Sequence, residues 1–123
     1  MPQTNNDIFS IINLEHLDGQ VKAMLGVNKR SEIFKGHFPG QPVVPGACMV
    51  QIVKDVLEMA LSQTLRLKKA GQLKFMNIIV PGDEQLKLSI SYKNSDEDII
   101  ISATLNNAEV ICFKFMGSFV GIN

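Results

Sequence analysis

The stretch "GHFPGQPVVPGACMVQIVKDVLEMAL", residues 36–61, changes character at Gly46. Before that point Pro39, Pro42 and Pro45 each fix φ and remove a backbone donor, while Gly36, Gly40 and Gly46 permit turns that side chains forbid. The result is a stiff path that starts beside His37. After Gly46 neither Pro nor Gly interrupts a run of helix formers up to about residue 61. Its polar side chains, Gln51, Lys54, Asp55 and Glu58, share one face at about 100° per residue, and the remainder, including Met49, Val50, Ile52, Val53, Val56, Leu57 and Met59, is apolar. A helix that is apolar on most sides must be wrapped by another element.

The rest of the chain supplies a sheet. "QLKLSISY" (85–92) puts Leu86, Leu88, Ile90 and Tyr92 on one face, and "DIIISATL" (98–105) does the same with Ile99, Ile101, Ala103 and Leu105. "KNSDED" between them reads as a turn, and "LNNAEV" as a hairpin loop before a further strand, "VICFKFMGSF". Upstream, "GQLKFMNIIV" closed by "PGD" is another strand candidate, and "QVKAMLGVNK" is one ahead of the helix. The predicted order is a strand, a buried helix and four strands in meander. This is an α+β arrangement in which an antiparallel sheet curls around a long central helix.

Length and charge bound what such a unit can do. The 123 residues, 46% hydrophobic, fit one compact domain spanning residues 1–123. Twelve basic and twelve acidic residues cancel, so no overall field draws the chain to nucleic acid or an anionic membrane. No apolar run reaches the 18 or so residues of a membrane span, and "MPQTNNDIFS" lacks the features of a signal peptide, so a soluble, cytoplasmic protein is expected. Cys48 and Cys112 sit in apolar sequence without C-x-x-C spacing, which reads as two reduced core thiols and no metal set.

His37 has the chemistry of a base near neutral pH, and the Gly46 N–H stands at the positive end of a helix. A base and a dipolar donor together suit removal of a proton next to a polarised carbonyl. The run "GHFPGQPVVPG" resembles the signature of the hot-dog-fold 3-hydroxyacyl-acyl carrier protein dehydratases, G-H-F-P-G-x-P-x-x-P-G ahead of the central helix, and matches every fixed position. "NKRSEIFKGHF" and "LKFMNIIVPGDEQLKLSI" extend the likeness, which covers about residues 20–119. The resemblance implies a dimeric hot-dog fold and conversion of a 3-hydroxyacyl thioester, carried on acyl carrier protein, to the trans-2-enoyl thioester in fatty acid or related acyl biosynthesis. No cofactor and no metal are implied. His37 would handle the proton beside the thioester, the Gly46 amide would bind its carbonyl, and Phe38, Pro45, Met49 and Val50 would lie against the substrate.

The family's third element, a helix carboxyl contributed across the dimer interface, falls at Gln51, which has no proton to give. Four readings follow. His37 performs both proton transfers; Asp55, one turn on, supplies the acid; a related hot-dog subunit supplies the carboxyl; or the chain is an acyl-thioester-binding protein or a thioesterase. Asp55 also suits a solvated polar stripe or dimer surface. Arg66 to Lys69 with Lys74 form the densest positive patch, either a docking surface for an acidic carrier protein or a solvated charge run after the helix. Phe38, Met49, Val50, Phe75 and Met76 suit an acyl tunnel or the core equally. His16, in "LEHLDG", reads as an ordinary loop or helix-end residue.

Overall fold

Alternation along each strand decides which side chains meet the helix. The computed structural model describes residues 8–36 and 42–122. In β4 (Leu86–Ser95) and β5 (Asp98–Asn107) the expected inward residues Leu86, Leu88, Ile90, Ile99, Ile101, Ala103 and Leu105 are all buried. Tyr92, at the end of its series, is half-buried. Among the described residues β1 (Phe9–Leu17), β2 (Gln20–Val27), β3 (Leu65–Phe75), β4, β5 and β6 (Val110–Gly121) form one antiparallel sheet in the order β1-β2-β4-β5-β6-β3.

Two features differ from the order read off the sequence. A strand, β1, precedes the one expected at β2. Its alternation is broken by a register shift between Ile11 and Asn13, which leaves Ile12 and Leu17 exposed and spoils the period of two. The four later strands also do not form a single meander. Only β4, β5 and β6 do so, whereas β3 runs along the far side of β6, pairing Leu65 with Gly121 and Phe75 with Phe113. The strand expected over "GQLKFMNIIV" begins earlier, at Leu65, and leaves the sheet after Phe75. The "RLKK" cations therefore lie on an edge strand rather than on a run after the helix.

A four-residue helix, α1 (Ile33–Gly36), precedes α2 (Gly46–Leu61), the helix expected from the sequence. Cys48, Met49, Ile52, Val53, Val56 and Leu57 of α2 are buried in one core with Val21, Leu25, Leu88, Phe113, Phe115 and Phe119 of the sheet. Each such large side chain contributes about 1.5–3 kcal/mol by leaving water. α2 ends at Ser62, whose φ of 53° is left-handed, and the Gln63 N–H donates to the Glu58 carbonyl at 3.2 Å. The Glu58 carboxylate accepts from the Leu65 N–H at 2.7 Å, fastening the helix end to the first residue of β3. No helix among the described residues is long and apolar enough to cross a membrane.

His16 lies on β1 rather than in a loop or at a helix end, and its Nε2 is 2.5 Å from the Tyr92 hydroxyl on β4. Cys48 and Cys112 are buried and unbridged, as expected of core thiols. Burial raises the Cys112 thiol above its ordinary value of 9.0, partly offset by a backbone hydrogen bond from Asn107. The folded thiol thus stays protonated where the unfolded one ionises. Its contribution to stability is intact below pH 9.0 and is lost as pH rises beyond it. Urea denaturation at about pH 9 and about pH 10 should show a steeper loss of stability in the wild type than in Cys112→Ala.

β3 is held against β6 through two register shifts, between Leu67 and Lys69 and between Ala70 and Gln72. They press the Lys69 carbonyl onto Gly117, where an added Cβ would lie 2.2 Å from that oxygen. Gly117→Ala should destabilise the fold by about 1–3 kcal/mol in urea denaturation, and an unchanged midpoint would refute this account of the β3–β6 contact.

Candidate active site

Residues 42–45 lead into α2 and are tied to a neighbouring segment. Pro45 is extended (φ −63°, ψ 146°) and forms the N-cap without a side-chain capping hydrogen bond. The Cys48 N–H donates to the Pro45 carbonyl at 3.0 Å, and the Val44 N–H donates to the Ile79 carbonyl at 2.8 Å. The second bond ties the residues before α2 to the segment that follows β3. That segment is fixed in turn by the Met76 N–H, which donates to the Cys112 carbonyl at 2.8 Å. Gly46 therefore opens α2 at a set position, where the first backbone N–H groups lack acceptors within the helix and the dipole is positive.

The Phe75 ring lies over Gly46. A Cβ on Gly46 would lie 2.8 Å from both Cε1 and Cζ of the Phe75 ring. That ring stacks on Phe113, with centroids 5.1 Å apart and planes at 24°. The start of α2 is thus roofed by an aromatic ring that is itself 54% exposed. Met76 beside it is also exposed, whereas Met49 is buried in the core. His37 and Phe38 lie outside the described residues.

Gln51 belongs to a different neighbourhood of the same helix. Five residues beyond Gly46 amounts to about 7.5 Å of rise and about 140° of rotation, and the two positions meet opposite ends of β3, Gly46 at Phe75 and Gln51 at Leu65 and Arg66. Half-buried Gln51 borders a cavity of about 250 Å³ together with Val50, Lys54, Leu65, Arg66 and Phe119. Val50 and Gln51 are thereby brought together, while Met49 and Pro45 are not part of this cavity. The Gln51 Nε2 donates to Asp55 Oδ1 at 2.8 Å. Asp55 is only 3% exposed, which corrects its reading as a solvated stripe residue. An i,i+4 spacing on one helix face was visible in the sequence, but the carboxylate's burial depends on the sheet around it.

The cations of β3 divide in the same way. Lys68 Nζ lies 2.8 Å from both oxygens of Asp98, whereas Arg66, Lys69 and Lys74 are exposed. Among the described residues no group of three His, Cys, Asp or Glu side chains is placed to hold a metal ion.

An antiparallel sheet wrapped around one long helix, entered through a Gly- and Pro-rich stretch ending at the helix N-terminus, defines the class of hot-dog proteins. Within that class, the pattern of the ApeI-like family, described as ApeI dehydratase, matches residues 13–114, and the chain belongs to that family. The 3-hydroxyacyl-[acyl-carrier-protein] dehydratase FabZ of Haemophilus influenzae (strain PittEE) is 24% identical over 110 residues, covering 80% of this chain and 74% of that protein. The corresponding FabZ of Erythrobacter litoralis is 36% identical over 59 residues, covering 48% of this chain and 39% of that protein. In three dimensions the chain is similar to the dehydratase heterocomplex ApeI:P from Xenorhabdus doucetiae, with a TM-score of 0.75 and 19% identity over 90% of this chain and 96% of that one.

The contact between Phe75 and Gly46 makes a local prediction. Gly46→Ala should destabilise the chain by about 0.5–1.5 kcal/mol by pushing the ring aside. Adding Phe75→Leu should recover most of that loss in urea denaturation. Equal stability of Gly46→Ala and wild type would show that the ring does not need the space.

Proposed function

We propose that this chain is a 3-hydroxyacyl thioester dehydratase, acting on an acyl chain carried by an acyl carrier protein, with its site assembled between two hot-dog subunits. The observation that carries the reading is Gly46 at the uncapped start of α2, within a stretch that matches the family's signature at every fixed position. The thioester carbonyl accepts from the Gly46 N–H, which stabilises negative charge as it develops on that oxygen. His37 removes the proton from the carbon beside the carbonyl and returns it to the 3-hydroxyl. The C–O bond breaks, water leaves and the 2,3 double bond forms, so no proton is left over and no cofactor is called for. Gln51 holds the hydroxyl by hydrogen bonding and does not protonate it.

Two observations favour a second subunit. Gly46 and Gln51 lie about 140° apart around α2, Gly46 against Phe75 and Gln51 beside Leu65 and Arg66, a separation that suits a site shared between two copies or between a copy and a relative. Apart from Leu65, β3 is an exposed edge strand, and it runs on into the exposed apolar residues Met76, Ile78 and Val80. Arg66, Lys69 and Lys74 on the same strand suit an acidic carrier protein. A related subunit that supplies a carboxyl is the second reading. It is favoured by the amide at position 51 and by a structural neighbour that is itself a dehydratase heterocomplex.

Turnover of a 3-hydroxyacyl carrier-protein thioester, followed by formation of the enoyl product, tests the proposal. His37→Ala should lower kcat/KM by about 100-fold or more, and Gln51→Glu combined with Asp55→Asn, which gives the new carboxyl a donor in place of a second carboxylate, should raise it. No turnover by any form, with acyl ligand still bound, would sink the reading for the isolated chain and leave an acyl-binding or partner-dependent subunit. Release of free acid without dehydration would identify a thioesterase.

A further inference from the structure

Asp55 is a buried carboxylate that the proposed reaction does not use, one helical turn beyond Gln51. The Gln51 Nε2 donates to its Oδ1 at 2.8 Å, and only 3% of Asp55 is exposed. An ionised carboxylate accepts hydrogen bonds and donates none. Turning the Gln51 amide over would set its oxygen against the carboxylate oxygen, two acceptors at hydrogen-bond distance in a site with little water to screen them. The carboxylate therefore distinguishes two amide orientations that have nearly the same shape. With Nε2 committed to Asp55, the end of Gln51 left for a ligand in the adjoining cavity is the carbonyl oxygen Oε1, together with one remaining N–H.

We infer that Asp55 is a positioning residue that locks the Gln51 amide so that its Oε1 accepts a hydrogen bond from the substrate's 3-hydroxyl. This rests on the reading of the site as one that takes 3-hydroxyacyl thioesters. It adds a reason for an amide at position 51. A hydroxyl that donates to Oε1 keeps its own oxygen lone pairs turned outward, open to the proton carried by His37. The group that receives that proton is then the one that leaves, as water. The same lock makes the site selective for an acyl chain bearing a 3-hydroxyl over one without it, because a plain acyl chain leaves Oε1 without a donor.

The experiment measures the affinity of two stable ligands for the full-length chain, pantetheine amides of a 3-hydroxyacyl and of the matching unsubstituted acyl chain. The amide cannot be hydrolysed as a thioester and leaves the C2 proton far less acidic than a thioester does, so selectivity is read separately from catalysis. Wild type should prefer the 3-hydroxy ligand by about tenfold. In Asp55→Asn, which keeps the shape but accepts either amide orientation, the preference should fall towards unity while affinity for the unsubstituted ligand stays within about twofold. In a Gln51→Ala background, Asp55→Asn should change nothing further. A parallel loss of affinity for both ligands would mark Asp55 as merely structural and overturn the inference. A tenfold preference that survives Asp55→Asn would overturn it too. Should Asp55→Asn fail to fold, the side-chain amide of Gln51 in the wild type provides the check by nuclear magnetic resonance. One of its two protons must be protected from exchange with solvent, and two equally exposed protons would refute the lock. Preference without dehydration would uphold the inference and defeat the dehydratase reading; dehydration without preference would do the reverse.

Discussion

One constraint organises the molecule: α2 is apolar around most of its circumference and cannot stand in water on its own. Its buried residues, from Cys48 to Leu57, are covered by a sheet that bends around them, and the aromatic row Phe113, Phe115 and Phe119 of β6 fills the concave side. Phe115 meets Phe119 edge to face, with centroids 6.2 Å apart, and Phe113 lies nearly parallel to Phe115 at 6.3 Å. Because the helix is held along its whole length, both of its ends have fixed positions. The start receives the stiff entry through Val44, and the end is fastened to β3 through Glu58.

The proposed chemistry sits where this burial is incomplete. At the N-terminus of α2 backbone donors stay without helical acceptors, and the Phe75 ring comes close to Gly46. On the polar face Gln51 and Asp55 lie at the margin between core and cavity, and burial converts an ordinary i,i+4 pair into an oriented one. The remaining uncovered surface is the β3 edge, with its unpaired strand and its cations. An edge of that length beside apolar residues is a surface that proteins ordinarily cover or pair.

Much of this was legible in the residue order, and the failures have identifiable causes. The period of two in β4 and β5 survives because those strands are central and regular, each paired on both sides. β1 escapes notice because a bulge breaks its alternation, and the first half of β3, ahead of the strand expected from Gly71, because its residues beyond Leu65 are exposed and give no apolar period. His16 was misread for want of its partner, since nothing local in "LEHLDG" announces a tyrosine 76 positions away.

The sequence by itself determined the long helix, the rigid approach to it and the presence of an amide at position 51. These are matters of local conformational preference and of residue identity, carried within a few neighbouring positions. The tertiary structure alone decided that β3 would lie beside β6, that Phe75 would lie over Gly46 and that Asp55 would be buried against Gln51. Each of those depends on which distant surfaces meet once the apolar helix is covered, a choice made by the packing of the whole chain and not by any one stretch of it.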